Sequence, residues 1–377
     1  MSNKENYYTY KEIRQQPDTW VKEYDNILSS KDSICAFLSR YAGNGYEVIF
    51  TGAGTSAYIG DMLAFLFHDL KFSSYRAVPT TDIVTHCASF FYPGKKVLLV
   101  SFARSGNSPE SVAAVNLVNK SGAEVAHIFI TCNAEGHLAK IASGSDNTLL
   151  LLLPPETDDV SLAMTSSFST MAMACLMAFN AGGIEAHKEY VANAAGTLRA
   201  AMEKYEAAIE AVAAKDFHRA VFLGSGALKG IAEESHLKLQ ELTDGAVMCT
   251  FDSFLGFRHG PKAVVKNDAL LVYLLSDDLH VRKYEIDLIR QINAGNKVAA
   301  QILVASEPVK IEGIDFDAEI IINPDSLPTG DYGNVSYVFV AQMLGCFKSI
   351  AYGLSPDAPS KSGNIHRVVE GVTIYDI

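Results

Sequence analysis

The segment Glu47–Asp61, EVIFTGAGTSAYIGD, decides the fold of the chain. Its first five residues form a short, mostly apolar run, which is typical of a strand buried on both faces. Gly52 and Gly54 allow a tight turn after this strand. Thr55 and Ser56 then place hydroxyls and N–H groups at the start of a helix. A buried strand that passes through a glycine turn into a helix is typical of a parallel α/β sheet.

Apolar, strand-like runs recur after this segment and alternate with helix-like segments. Helices are predicted at Ser56–Leu70 and Pro109–Ser121. The alternation indicates a parallel sheet that is covered by helices on both faces. The strands predicted for the first half of the chain are Glu47–Thr51, Tyr75–Pro79, Lys96–Phe102, Glu124–Thr131 and Thr148–Leu153.

The series of strands then starts again, because a second turn, Gly224-Ser225-Gly226, lies 172 residues after Gly52-Ala53-Gly54. This repeat predicts two tandem three-layer α/β/α domains, each built on a five-stranded parallel sheet. The expected division is 1–45 as N-terminal helices, 46–185 as the first domain, 186–216 as linking helices and 217–377 as the second domain. The second set of predicted strands is Arg219–Leu223, Ala246–Phe251, Ala269–Leu275, Val298–Ala305 and Ala318–Ile322.

Composition narrows the classes of partner and compartment. The net charge is −12 over 377 residues, which argues against a nucleic-acid footprint. The six cysteines form no C-x-x-C pair, and the polar N-terminus has no apolar signal core, so we expect a cytoplasmic protein with reduced thiols. The uncharged stretch Val160–Ile184 carries many hydroxyls, so it is predicted to be a buried core helix and not a membrane span.

Hydroxyl-rich segments follow the predicted strands where ligands bind in α/β sheets. Ser101–Ser111, SFARSGNSPES, places hydroxyls and N–H groups before Pro109, which predicts a phosphate cradle at a helix N-terminus. The alternative is simple N-capping by one of these serines. Glu156–Ser167, which includes the candidate contact Ser161, follows the fifth strand and either closes over the ligand or caps a helix.

The first glycine turn also fits the dinucleotide pattern G-x-G-x-x-A. That interpretation requires an acidic residue about 20 residues later. The segment Lys71–Val78, KFSSYRAV, has no carboxylate there, so a nicotinamide or flavin site is disfavoured. No H-x-x-x-H, H-E-x-x-H or P-loop pattern occurs, so we expect no metal and no cofactor.

Acid–base residues are concentrated in the second half. Glu234, Lys238 and Glu241 share one side of a predicted helix over Glu233–Gly245, which alone also fits a solvated salt-bridge face. His259 follows in a constrained loop, FRHGPK. A carboxylate and an imidazole are what aldose–ketose chemistry requires, one for the carbon-bound proton and one for ring opening.

Together the motifs TGAGTSAYIGD, ARSGNSPES, FRHGPK and NIHRVVEGVTIYD resemble the sugar isomerase (SIS) family over nearly the whole chain. The resemblance is closest to galactosamine-6-phosphate deaminase/isomerases, often labelled tagatose-6-phosphate ketose/aldose isomerases. It extends to the isomerase half of glucosamine-6-phosphate synthase. It implies SIS-type domains, a hexose or hexosamine 6-phosphate as substrate, and phosphate contacts from Ser56, Ser105 and Ser108, with Thr55 nearby.

The resemblance also assigns catalytic roles. Glu241 matches the carboxylate that moves a proton between carbons 1 and 2, and Lys238 matches a lysine that supports it. His259 matches the ring-opening histidine, which in the synthase reaches in from a neighbouring subunit. A homodimer or larger homo-oligomer is therefore expected.

The chain departs from the synthase at two arginines. Arg104 replaces a glutamine, and either adds a charged phosphate contact or faces solvent. Arg367 replaces a C-terminal lysine near the sugar, where it provides fixed charge and hydrogen bonds only. The spacing from Glu241 to His259 is two residues longer, and no glutaminase segment precedes the first domain.

These features predict deamination of galactosamine 6-phosphate to tagatose 6-phosphate and ammonia. A plain ketose–aldose isomerase would use the same residues. A non-catalytic regulator that senses sugar phosphates would need the serines but not Glu241 or His259.

Overall fold

The structure is a computed structural model that describes residues 4–67, 71–143, 145–295, 297–369 and 371–375. It contains two five-stranded parallel sheets with surrounding helices, so the predicted α/β fold class is confirmed. The first sheet consists of β1 (Glu47–Thr51), β2 (Ser74–Ala77), β3 (Lys96–Ala103), β4 (Glu124–Thr131) and β5 (Thr148–Leu152). The second consists of β6 (Arg219–Gly224), β7 (Met248–Asp252), β8 (Ala269–Leu274), β9 (Ala300–Ala305) and β10 (Ala318–Ile321).

Helices cover these sheets. They are α1 (Tyr8–Ser29), α2 (Lys31–Tyr41), α3 (Thr55–Leu66), α4 (Thr80–Phe90), α5 (Pro109–Lys120), α6 (His137–Ala142), α7 (Ser166–Phe179), α8 (Lys188–Ala213), α9 (Ala227–Leu242), α10 (Phe254–Phe257), α11 (Leu279–Asn293), α12 (Tyr332–Val335) and α13 (Phe339–Ala351). Short 3-10 turns occur at Lys4–Asn6, Pro155–Thr157, Ala181–His187, Pro261–Val264 and Ser336–Val338.

The chain forms two compact units that are discontinuous in sequence, whereas the predicted division is contiguous. The first-sheet unit comprises Asp18–Asp159, Ser166–Lys188 and Ile365–Ile377. The second-sheet unit comprises Met1–Pro17, Val160–Thr165 and Glu189–Asn364.

Both sheets have the same strand order. The first runs β2-β1-β3-β4-β5, and the second runs β7-β6-β8-β9-β10. In the first, Ile49, Val97 and Leu99 pack against apolar residues of α4 and α5, so this face of the sheet is fully buried. In the second, Val221 and Leu271 pack against α11 through Leu288. Each sheet therefore has a topological switch point, at β1/β3 and at β6/β8, where α/β proteins bind ligands.

The two glycine turns have the same backbone geometry. Gly54 has φ 54° and ψ −130°, and Gly226 has φ 60° and ψ −127°, a conformation that favours glycine. A Cβ on Gly52 would lie 2.5 Å from the carbonyl carbon of Ser56, and one on Gly224 would lie 2.2 Å from the Leu228 oxygen. Both first glycines are thus required by close packing of the turn on the following helix, as the repeated sequence predicts.

The predicted helix over Val160–Ile184 is only partly correct. The helix is α7, which is buried almost throughout. It begins at Ser166 because Asp159 accepts hydrogen bonds from the Ser167 N–H (2.9 Å) and from the hydroxyls of Ser166 and Ser167. Val160–Thr165 are not helical and belong to the second-sheet unit. No single helix in the described ranges is long and apolar enough to cross a bilayer; α7 and Ala181–Ala213 pass that test only as a bent pair.

Two other boundaries also differ from prediction. Strand β7 begins at Met248 and not at Ala246, because Asp244 (φ 50°) and Gly245 (φ 75°) form a left-handed turn after α9. The predicted linking helices are the single helix α8. The predicted helix over Ser56–Leu70 corresponds to α3, and residues 68–70 lie outside the described residues.

Candidate active site

The turn after β1 presents hydroxyls at the start of α3. Thr55 and Ser56 occupy the first turn of this helix, and both residues are buried. Gly54, directly before them, is exposed and has no side chain, so the start of the helix is open at this residue. The Ser56 and Ala57 N–H groups donate to the Ala53 and Gly54 carbonyls at 3.2 and 2.8 Å, so the start of α3 offers an anion its hydroxyls and the positive end of the helix dipole.

The loop after β3 carries the second set of hydroxyls. The Ser105 hydroxyl oxygen accepts the Asn107 N–H at 3.2 Å, and the Ser108 hydroxyl donates to the Ser111 hydroxyl at 2.6 Å. Ser108 is the residue before α5, yet its side chain makes no capping hydrogen bond. The alternative that this serine only caps the helix is therefore wrong. Its hydroxyl remains near the loop surface.

Residues that the sequence analysis missed hold this loop in place. Asn107 Oδ1 accepts hydrogen bonds from the His137 N–H (3.0 Å) and from the His137 ring Nδ1 (2.9 Å). Asn133 Nδ2 donates to the Ser105 carbonyl at 3.0 Å. A Cβ on Gly136 would lie 2.6 Å from that same carbonyl. The signal available in the sequence was that Asn133, Gly136 and His137 follow β4, the strand beside β3.

Arg104 does not face solvent, which was one of the two predicted alternatives. It is 6% exposed and its Nη2 donates to the main-chain carbonyl of Arg367 at 2.6 Å. The Arg367 guanidinium in turn pairs with Asp158 Oδ1 at 2.6 Å and donates from Nε to the Asp159 carbonyl at 2.8 Å. The C-terminal segment is thereby attached beside the Ser105 loop, within the first-sheet unit.

The charge of Arg104 is held at some cost in free energy. Burial lowers the pKa of Arg104, and the nearby Arg367 lowers it further, whereas Asp159 and Asp158 raise it. An additional anion near Arg104 would offset the burial of this cation. The pair of arginines beside the serine loop therefore favours a ligand with negative charge.

Ser161 is placed differently from its prediction. Its hydroxyl is buried and donates to the Glu12 carboxylate, which also accepts the main-chain N–H of Ser161 at 3.2 Å. Both residues lie in the second-sheet unit. The Ser161 hydroxyl is bound to a carboxylate, which would repel a phosphate, whereas the Ser108 hydroxyl is bound to another hydroxyl, so Ser161 is not retained as a phosphate contact.

The acidic face of α9 is buried and not solvated. Lys238 Nζ lies 2.8 Å from Glu241 Oε2 and 3.4 Å from Glu234 Oε1. The side chains of Glu234 and Lys238 are 0% and 1% exposed, while that of Glu241 is 23% exposed. The interpretation of this face as a surface salt-bridge run is therefore wrong. Glu241 is the one member of the triad that a ligand can reach.

Close packing of α9 against α13 explains why the Lys238 side chain is shielded from solvent. A Cβ on Gly345 of α13 would lie 2.8 Å from Leu242 Cδ1 and 3.1 Å from the Lys238 carbonyl. The two helices therefore approach closely along the turn that carries Lys238. A lysine in such a place stays charged only with carboxylate partners, and Glu234 and Glu241 are those partners.

Two histidines belong to the same unit. His259 follows α10 and is exposed; its N–H donates to the Gly256 carbonyl at 2.9 Å, and its imidazole makes no hydrogen bond or ion pair with the residues that the structure describes. His236 lies on α9, stacks on Phe251 at 4.9 Å between ring centroids, and contacts the Glu233 carbonyl through Nδ1. Burial lowers the pKa of His236; the Glu233 carbonyl and then the Glu241 charge raise it by smaller amounts, and the Lys238 charge lowers it. The sequence analysis did not single out His236.

Within the described ranges, no group of three or more His, Cys, Asp or Glu side chains could hold a metal ion. His127, which shares the apolar strand β4, has its pKa lowered to about 4 by burial, and its Nε2 lies 2.8 Å from Asn119 Oδ1. It is a neutral core residue.

Comparison with known proteins shows the family of this chain. Residues 44–181 match the SIS domain family. A D-galactosamine-6-phosphate deaminase AgaS from Escherichia coli is 38% identical over 370 residues, which cover 98% of this chain and 95% of that protein. This chain belongs to the AgaS family. The resemblance inferred from the four motifs is thus confirmed.

Solved structures agree with the AgaS assignment. The crystal structure of tagatose-6-phosphate ketose/aldose isomerase from Escherichia coli has a TM-score of 0.88 and 36% identity, covering 98% of this chain and 96% of that one. The C-terminal domain of glucosamine-fructose-6-phosphate aminotransferase from Francisella tularensis has a TM-score of 0.76, with 92% and 96% coverage. At 19% identity it shows the fold alone. AgaS relatives are named for catalytic activities, so the prediction of an enzyme is confirmed.

Proposed function

We propose that this protein converts galactosamine 6-phosphate and water into tagatose 6-phosphate and ammonia. The observation that carries the proposal is the buried Glu234–Lys238–Glu241 triad, in a chain that is related over its full length to a D-galactosamine-6-phosphate deaminase. Glu241 is half-buried and held on a lysine, which suits a general base that meets its substrate.

The phosphate group binds at the hydroxyl-bearing loops of the first-sheet unit. Ser56, with Thr55 nearby, contributes from the start of α3, and Ser105 and Ser108 contribute from the loop before α5. Helix N-termini and hydroxyls stabilise an anion without requiring lysine. Arg104 adds positive charge, supported by Arg367 on the C-terminal segment.

The reaction is a proton transfer followed by hydrolysis. Glu241 removes the proton from carbon 2 of the open-chain amino sugar. The electron pair of that bond forms the carbon 1–carbon 2 double bond, and the aldehyde oxygen on carbon 1 takes up a proton, which gives an enolamine. Glu241 then returns its proton to carbon 1 while the amino group releases one to solvent, which leaves an imine at carbon 2 and a hydroxyl on carbon 1. Water adds to the imine carbon and ammonia leaves, giving the ketose phosphate.

Lys238 holds Glu241 in position, since its Nζ lies 2.8 Å from Glu241 Oε2. His259 assists ring opening, as the family motif implies. His236 is the alternative, because it lies on the same helix as Glu241, whose charge raises the pKa of His236. Comparing His259→Gln with His236→Gln separates them: loss of turnover on the cyclic substrate in one variant identifies the histidine that opens the ring.

A plain ketose–aldose isomerase that acts on tagatose 6-phosphate is the second candidate, because the structurally similar Escherichia coli protein carries that name. It would use the same proton transfer without release of ammonia. Incubating the purified protein with galactosamine 6-phosphate, glucosamine 6-phosphate and tagatose 6-phosphate distinguishes the two. We expect ammonia and ketose phosphate in equal amounts from galactosamine 6-phosphate; interconversion of tagatose 6-phosphate with an aldose, without ammonia from either amino sugar, would favour the isomerase.

We propose further that the protein is a cytoplasmic homodimer or larger homo-oligomer in which His259 acts in a neighbouring subunit. The exposed position of His259 supports this. Mixing Glu241→Gln with His259→Gln subunits tests it. Recovery of about a quarter of normal activity after subunit exchange is expected for a dimer with shared sites; no recovery from an exchanged mixture would place both residues in one subunit's site.

A further inference from the structure

The duplicated fold gives each unit a crevice at the end of its two central strands. Register makes the two crevices comparable residue by residue. Thr51 pairs with Ser101 and Leu223 pairs with Tyr273, and in both cases the first glycine of the turn follows directly. Counting three residues past the paired residue of the neighbouring strand places Ser276 where the first-sheet unit has Arg104. Counting four places Asp277 where it has Ser105.

The second-sheet crevice contains a carboxylate of the chain itself. Glu285 of α11 is 0% exposed and its Oε2 accepts the Ser276 N–H at 2.9 Å. The Ser225 hydroxyl, in the glycine turn, faces the same carboxyl group. By strict hydrogen-bond geometry Glu285 Oε1 has no partner among the described residues, so the Ser225 hydroxyl lies close to the carboxyl group without an ideal hydrogen bond. The donors around Glu285 are therefore a loop N–H and a serine hydroxyl.

Positive charge near this carboxylate is limited and already used. Arg282 donates from Nε to the Ser276 carbonyl at 2.7 Å, and its Nη2 lies 3.2 Å from Asp277 Oδ1. Burial raises the pKa of Glu285, which Ser225, Ser276 and Arg282 lower and Asp277 raises. Burial likewise raises the pKa of Asp277. A further anion in this crevice would meet two carboxylates.

We propose that the Glu285 carboxylate occupies, in the second-sheet crevice, the place that the substrate phosphate takes in the first-sheet crevice. The chain then has one phosphate-binding crevice, although its fold has two. A carboxylate can substitute for a phosphate here because both accept hydrogen bonds from loop N–H groups and hydroxyls. Asp277 strengthens the exclusion, since it places negative charge where the other crevice has the Ser105 hydroxyl. This inference rests on the proposed phosphate site of the first-sheet unit.

Calorimetric titration of the full-length protein with inorganic phosphate tests this. We expect one phosphate per chain for the unaltered protein and none for Ser105→Ala/Ser108→Ala. Adding Asp277→Ser/Glu285→Ala to that double variant should restore one phosphate per chain, bound in the second-sheet crevice. Glu23→Gln, which alters a buried carboxylate elsewhere, is the matched control and should restore none.

The outcomes separate the inference from the proposed function. Two phosphates per chain in the unaltered protein would overturn the inference. So would a variant with all four substitutions that folds but binds no phosphate. No phosphate bound by the unaltered protein would instead overturn the proposed phosphate site, and with it the inference. A variant that folds only when phosphate is present supports the proposal, because the added anion replaces Glu285; failure to fold both with and without phosphate contradicts it.

Discussion

Replacing both serines of the Ser105 loop tests whether their hydroxyls bind the phosphate group. We expect Ser105→Ala/Ser108→Ala to raise KM for the sugar phosphate by at least tenfold, since a hydrogen bond to a charged group is worth about 1.5–3 kcal/mol. kcat should change less, because neither hydroxyl takes part in proton transfer. Ser121→Ala is the matched control, because that hydroxyl at the other end of α5 donates to the Val118 carbonyl at 2.7 Å. Equal KM values for the double variant and the control would show that Ser105 and Ser108 do not bind the substrate phosphate.

Glu23 gives a residue-scale prediction about stability. It is buried in α1, accepts a hydrogen bond from Asn26 Nδ2 at 3.1 Å, and burial raises its pKa from 4.5 to about 8. The folded protein thus keeps this carboxyl protonated where the unfolded chain ionises it. The free energy of unfolding should fall as pH rises from 4.5 to 8, by about 1.4 kcal/mol per pKa unit. Glu23→Gln should lose this slope in urea unfolding measured across that range; parallel pH profiles would show that Glu23 is ionised in the folded state.

At the scale of elements, the C-terminal segment is held to the loop after β5 through the Asp158–Arg367 pair, and its Arg367 carbonyl accepts a hydrogen bond from Arg104. We expect Asp158→Asn to raise KM severalfold while the melting temperature and carbon-2 proton exchange at saturating substrate stay near normal. The reason is that the change loosens Arg367 and so displaces Arg104. Asp146→Asn, an exposed change in the same unit, should have no effect. Loss of exchange in Asp158→Asn would instead make Asp158 part of the proton transfer.

Elements were predictable where the chain repeats a strong local signal. Strands β1 and β4 match their predicted bounds because apolar runs end abruptly at glycine or polar residues. The start of β7 was missed because a left-handed turn at Asp244 and Gly245 consumes two residues that look strand-like in context. The break at Val160–Thr165 was missed because uncharged residues fit both a core helix and a segment that crosses to another unit.

At the scale of the whole molecule, the sequence pattern predicted the duplication but not which side chains are buried in each half. Ser105 and Glu241 were accessible to sequence analysis because they lie in motifs at strand and helix ends. The burial of Lys238 was not, because it depends on Gly345, more than 100 residues away. The position of Glu285 was not predictable for a different reason: its partner Ser276 is only nine residues away, but its place beside the glycine turn of β6 follows from the pairing of the strands in the second sheet.

The most direct test of the account is Glu241→Gln. The amide keeps the shape of the side chain but has no usable basicity, and general base catalysis supplies about 10²–10⁴-fold in rate. We therefore expect turnover of galactosamine 6-phosphate to fall by at least that range, and exchange of the carbon-2 proton with deuterated solvent to stop, while KM changes little. Near-normal turnover and exchange in Glu241→Gln would contradict the account and move the search for the base to Glu234 and Asp158.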